Sequence, residues 1–162
     1  MSAVKFREAT AEDVGLILQF IRALAEYEKM SGDVVATEEI LREWLFEKNS
    51  ARVIFAMEGE KEVGFALYFY NFSTFLGRAG LYLEDLFVLP EYRGRGYGKG
   101  LLAHLAAIAV ERGCGRMEWV CLDWNQPSID FYKSKNAVSL DDWTIYRLTG
   151  DTLTAFAKED KA

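Results

Sequence analysis

The apolar positions near the start of the chain follow a helical period. Val14, Ile17, Leu18, Ile21, Leu24 and Ala25 recur at a spacing of about 3.6 residues, which predicts an amphipathic helix over residues 11–29 with Thr10 as its N-cap. The polar strip is narrow and holds Gln19, Arg22 and Glu26. At about 100° per residue Glu28 falls inside the apolar stripe, so either this carboxylate points inward or the last turn frays and lets it reach water. Residues 4–8 read as a preceding strand, and Thr37 caps a shorter helix that ends near Phe46. Two β runs follow, 51–58 and 62–72, separated by Gly59-Glu60-Lys61 as in an antiparallel hairpin. Residues 71–80 read as a polar and aromatic loop, and a strand over 81–89 is stopped by Pro90. A helix over 98–112 ends at Gly113; then come a strand over 117–122, a short helix over 127–135 and a last strand over 143–148, with a helical turn after Asp151. Strands alternating with helices predict an α/β layered domain.

Length and charge narrow the function classes. The 162 residues fit one domain on a prior of roughly 100 to 200 residues, so 1–162 is expected to share one core. With 25 acidic and 19 basic side chains the net charge is −6, which argues against a sequence-independent grip on nucleic acid and suits a small cationic partner. Cys114 and Cys121 make no disulfide framework and lack metal-ligand spacing, so a reducing compartment and no metal site are expected. The first residues carry Lys5, Arg7 and Glu8 and no apolar core. The most apolar run, 101–110, contains His104 and falls short of the roughly 20 residues that span a bilayer. A soluble, cytoplasmic protein without membrane contact is the expectation.

The stretch Arg93-Gly94-Arg95-Gly96-Tyr97-Gly98-Lys99-Gly100 lies between a strand and a helix. Glycines at alternate positions let several backbone N–H groups converge, and the helix N-terminus behind them adds partial positive charge. That builds an anion cradle, and Arg93, Arg95 and Lys99 favour phosphate. A P-loop needs Ser or Thr after its Gly-Lys, where Gly100 stands; a dinucleotide G-x-G-x-x-G starting at Gly94 meets Lys99 instead of its third glycine.

Arg93-Gly94-Arg95-Gly96-Tyr97-Gly98 resembles the R/Q-x-x-G-x-G/A signature of the GNAT superfamily of acetyl-coenzyme A-dependent N-acetyltransferases. Tyr27-Glu28, Leu83-Glu84-Asp85, Trp124-Asn125-Gln126-Pro127-Ser128 and Phe131-Tyr132-Lys133 resemble its diamine branch, the spermidine/spermine and thialysine acetyltransferases, in the expected order along nearly the whole chain. The resemblance implies a mixed, mostly antiparallel central sheet flanked by helices, and direct acetyl transfer from acetyl-coenzyme A to a primary amine of a small cationic molecule. Transfer of this kind needs a neutral amine, a polarised carbonyl and a proton for the departing thiolate.

Roles come with the resemblance. Tyr132 is the implied general acid, and a phenol is neutral at pH 7 and able to donate. Glu84 is the implied amine-holding residue that relays the amine's proton. Tyr27, Glu28, Asp85 and, more remotely, Asp142 from a partner copy complete the implied substrate contacts. Glu84 and Asp85 are consecutive on a strand, so only one faces the substrate unless a bulge intervenes. The backbone of Leu86, Phe87 and Val88 is implied to pair with the pantetheine arm as an added strand would. The turn residues Arg93, Gly94, Arg95, Gly96, Tyr97, Gly98 and Lys99 are implied to hold the diphosphate. Asn125 and Ser128 complete the implied cofactor contacts, and a homodimer is the implied assembly. Ser73-Thr74-Phe75 stands where polyamine-selective members carry an acidic residue and a tryptophan, which leans toward the thialysine type. Asn136 replaces a usual glycine, a change that the left-handed conformation tolerates. Acetylation of protein amino groups or of an amine antibiotic, and a non-catalytic coenzyme A sensor, are the alternative readings.

Overall fold

A computed structural model describes residues 3–161. The chain divides into two compact units, Met1–Val120 and Cys121–Ala162. The first contains a five-stranded sheet in the order β1 (Lys5–Glu8), β2 (Arg52–Glu58), β3 (Lys61–Ser73), β4 (Arg78–Val88) and β5 (Met117–Glu118). The first three pairings are antiparallel and β4–β5 is parallel. This is the mixed, mostly antiparallel sheet with flanking helices that the family resemblance implies.

Helix α1 (Val14–Tyr27) follows a single 3₁₀ turn, Ala11–Asp13. The Thr10 amide donates to Asp13 Oδ2 at 2.7 Å, and Arg7 bridges Asp13 at 2.8 Å and Glu62 at 2.7 Å, which ties the start of α1 to β1 and β3. The apolar stripe of α1 buries Val14, Ile17, Leu18 and Phe20 against Val53, Phe55, Phe65 and Phe87 of the sheet. Each such side chain removed from water stabilises the fold by about 1.5–3 kcal/mol. Helix α2 (Glu38–Leu41) is capped by Thr37, whose hydroxyl oxygen accepts from the Ile40 amide at 3.2 Å, and it widens into a π turn over Arg42–Glu47.

Helix α3 (Tyr97–Glu111) covers the opposite face through buried Leu101, Leu102, Leu105 and Ala109. Its close approach requires Gly64, where a Cβ would meet the Phe87 carbonyl oxygen at 3.1 Å and Leu101 Cδ1 at 3.3 Å. His104, expected at a surface edge, is half-buried on this helix and stacks on Phe6 with centroids 4.2 Å apart.

Four expectations change. The loop expected over 71–80 is mostly ladder: Asn71 pairs with Gly80, Phe72 with Ala79 and Ser73 with Arg78, which leaves a short turn closed by Gly77 at φ 69°. The strand expected over 117–122 is confined to Met117–Glu118, and 143–148 forms no strand. Both stretches have β-favouring composition, but a strand exists only through a partner's hydrogen bonds. In the second unit, α4 spans Gln126–Ser134 and α5 spans Gly150–Ala157, longer than the single turn expected. Asn136 sits just past α4 at φ 63°, the left-handed conformation its side chain tolerates. Among the described residues no helix is long and apolar enough to cross a membrane.

Candidate active site

The site in the first unit begins with an irregularity in β4. Leu67 pairs with Asp85 while the next residue, Tyr68, pairs with Leu83, so Glu84 is the extra residue of a β-bulge. Phe87 lies opposite Phe65 and Tyr82 opposite Phe69, and Phe65, Leu67 and Phe69 share one face of β3. Asp85 shares the face of Phe87 and Glu84 that of Tyr82, so the bulge brings two consecutive carboxylates to the face that α1 covers. The choice between Glu84 and Asp85 that strict alternation would impose is therefore lifted.

Helix α1 ends at this face. The Glu28 amide donates to the Leu24 carbonyl at 2.9 Å, and Lys29 closes the helix at φ 62°. Glu28 is half-buried, and burial raises its pKa above the ordinary carboxylate value. Glu28 thus sits at the C-cap of α1, partly withdrawn from water, between the two alternatives that its helical position left open. Burial, with added repulsion from Glu84 and Glu28, pushes the Asp85 pKa up to about 7. Glu84 itself is exposed. Three carboxyl groups that raise one another's cost of ionisation form a site that gains from binding a positive charge.

The glycine turn lies beyond the other end of β4. Gly94 and Gly96 have φ 76° and 89°, and a Cβ at either would meet no atom within 4 Å, so the space beside the turn is open at both. The Gly100 amide donates to the Gly96 carbonyl at 2.8 Å as the first helical bond of α3. The amides of Tyr97, Gly98 and Lys99 precede it and point out of the helix start, the arrangement that holds an anion. Arg95 meets Glu58 at 3.2 Å and lies 5.2 Å from the Tyr92 ring, and the Tyr97 hydroxyl donates to Glu58 at 3.0 Å. Lys99 is exposed. Arg93 is turned toward Val88, Tyr27 and Phe87. Glu58 and Lys61, which donates to the Tyr92 hydroxyl at 3.0 Å, are parts of the turn's support that sequence reasoning missed. Their contacts span 31 to 39 residues, beyond any local pattern.

Between these two features β4 has an open edge. Its pairing with β5 is limited to Leu81 and Tyr82 against Met117 and Glu118, so among the described residues no strand is paired along that side of Leu86, Phe87 and Val88. A flexible amide-bearing arm fits such an edge by backbone hydrogen bonding, and its diphosphate fits the cradle.

In the second unit Asn125 occupies the N-cap position of α4, Ser128 lies in its first turn and Tyr132 in its last part, with the Tyr132 ring 5.9 Å from that of Phe131. Asn125, Ser128 and Tyr132 are half-buried, whereas Asp142 is exposed and outside regular structure. Among the described residues there is no group of three or more His, Cys, Asp or Glu side chains able to hold a metal ion.

Restoring a side chain to the cradle tests its role. Gly96→Ala places a Cβ on the open side at φ 89°, a backbone strain of about 1–2 kcal/mol. The expected result is a modest fall in urea midpoint, with a rise of about tenfold or more in KM for the carrier. An unchanged KM would remove the cradle from the binding site.

A bulged, acid-lined strand with one open edge, leading to a glycine turn at a helix start, is a scaffold suited to a long anionic carrier beside a cationic partner. The model of the acetyltransferase (GNAT) family matches residues 18–136, and the chain belongs to this family. It is 38% identical to the thialysine N-epsilon-acetyltransferase of Bos taurus over 97% of this chain and 99% of that protein. It is 31% identical to the human spermidine/spermine N(1)-acetyltransferase-like protein 1 over 99% of this chain but 24% of that longer protein. Among solved structures, an integron cassette protein from the mobile metagenome of V. cholerae superposes with a TM-score of 0.80 at 32% identity, covering 98% of this chain and all of that one. The chain is an N-acetyltransferase that uses acetyl-coenzyme A to acetylate an amine.

Proposed function

We propose that the acceptor is a small molecule with a primary amine and further positive charge, of the thialysine, lysine-analogue or short diamine type. The observation that carries this reading is the gathering of Glu28, Glu84 and half-buried Asp85 on one face. The thialysine acetylation named for the Bos taurus relative supports it. Ser73-Thr74-Phe75 supplies no carboxylate at the β3–β4 turn for a distal ammonium, which disfavours long polyamines.

Acetyl-coenzyme A supplies the acetyl group as a thioester. Glu84 and Glu28 attract the ammonium, and Tyr27 adds a ring beside it. Asp85, whose pKa burial raises to about 7, accepts in its ionised form the proton that the amine must shed, directly or by way of water and Glu84. The nitrogen then forms a bond to the acyl carbon as the carbon–sulfur bond breaks, the Tyr132 hydroxyl gives its proton to the departing thiolate, and the second proton shed by the new amide nitrogen restores the phenol. Leu86, Phe87 and Val88 hold the arm by backbone, and Gly94 to Lys99 hold the diphosphate, with Asn125 and Ser128 as further contacts. The reading includes cytoplasmic residence and a homodimer to which exposed Asp142 contributes; light scattering tests the latter.

A thiol-release assay with thialysine, lysine, putrescine, spermidine, an aminoglycoside and an N-terminal peptide discriminates acceptors. Turnover is expected with thialysine and short diamines, at kcat/KM about tenfold or more above spermidine. Turnover confined to the peptide or the aminoglycoside would overturn the assignment.

A further inference from the structure

One guanidinium joins the glycine turn to the end of α1. The Arg93 Nε donates a 3.0 Å hydrogen bond to the carbonyl oxygen of Val88. The guanidinium carbon lies 5.0 Å from the ring centroid of Tyr27 and 5.0 Å from that of Phe87. The two rings are 6.3 Å apart and inclined at 59°, so the flat cation lies in the angle between them. Phe87 is buried in the core, two residues along β4 from Asp85, and Tyr27 adjoins Glu28. The Arg93 Nε–H is thus committed to the end of β4, and its guanidinium carbon lies over two aromatic rings.

We propose that Arg93 is a positioning residue that ties the acyl-carrier turn to the amine-binding end of α1, and so governs amine affinity rather than carrier affinity. Its three partners come from α1 and β4, the elements that present Tyr27, Glu28 and Asp85. With the strap in place, the loop after α1 and the turn after β4 keep one fixed separation, and the Tyr27 ring is held beside Phe87. The inference rests on the reading of Glu28, Glu84 and Asp85 as the amine site.

Lysine separates this role from a charge contact. It keeps the positive charge but has neither the planar face nor an Nε–H at the Val88 carbonyl. Steady-state kinetics of the full chain are measured for Arg93→Lys, Arg93→Met and Tyr27→Leu, alone and combined, with circular-dichroism melts as a check on folding. Both Arg93 variants are expected to raise the amine KM about tenfold while the acetyl-coenzyme A KM moves less than about threefold, and Tyr27→Leu combined with Arg93→Met is expected to be no worse than either alone. Should Arg93→Met fail to fold, Arg93→Lys and Tyr27→Leu carry the same comparison. The proposal is overturned by a rise confined to the acetyl-coenzyme A KM, by an equal rise in both constants, or by Arg93→Lys behaving as wild type. Asp85→Asn serves as the control. If it and Glu84→Gln both leave the amine KM and kcat/KM unchanged, the amine-site reading fails; if either is defective while Arg93→Lys is not, the strap alone fails.

Discussion

Tyr132→Phe is expected to lower kcat by about 10²-fold or more, with KM for acetyl-coenzyme A within about twofold of wild type. The substitution removes one oxygen and keeps the ring, so the packing against Phe131 at 5.9 Å is preserved. The phenol is the group that the family resemblance makes proton donor to the thiolate. Without it, the sulfur must leave unprotonated or take its proton from solvent. The proposed carrier contacts run along the β4 edge and the glycine turn, which this change does not touch. Single-turnover kinetics with a thiol-sensitive dye report the step directly, and isothermal titration reports carrier affinity. A variant with wild-type kcat would end the general-acid assignment. Loss of carrier affinity at unchanged kcat would mean that the hydroxyl serves binding.

Most of the first unit was legible in the sequence because its elements carry local signatures. The 3.6-residue stripe of α1, the Thr37 cap, the Gly59 hairpin and the glycine turn are set by residues near one another in the chain, and the structure places each close to the expected bounds. Glu28 was legible for the same reason: a charge inside an apolar stripe stands out against the helical period. The bulge at Glu84 was not, because it is a mismatch in pairing with Leu67 and Tyr68 on another strand. The extension of β3 and β4 through Ser73 and Arg78 escaped likewise, since Asn71 and Gly80 are weak strand formers that acquire their conformation from each other. Arg93 shows the same limit at the site. Its place in a phosphate-like motif is written locally, whereas its stacking on Tyr27 spans 66 residues and exists only after folding.

Asp85→Asn is expected to lower kcat/KM for the amine about 10²-fold at pH 8 and to change the pH profile as well as the rate. Burial and the neighbouring carboxylates place the Asp85 pKa at about 7 rather than near 3.8. The ionised form attracts the ammonium and accepts its proton, so wild-type kcat/KM should fall as pH drops through about 7. In the variant that limb should flatten. Amine binding brings a positive charge to the carboxylate and lowers its pKa, so proton release on binding, measured by calorimetry in buffers of different ionisation enthalpy, should accompany the wild type and not the variant. Stability should move the opposite way. A carboxyl whose folded pKa exceeds its unfolded one stabilises the fold below the unfolded value, and that contribution is lost as pH rises from about 4 to about 7. Above pH 7 the wild type therefore bears a penalty of order a few kcal/mol that asparagine lacks. The variant should melt higher at pH 8 and show no such gain at pH 4. Gaining stability while losing activity is the behaviour of a group held in an unfavourable state for function. If Asp85→Asn keeps both activity and profile while Glu84→Gln loses them, the proton acceptor is Glu84, and the bulge serves to present that residue.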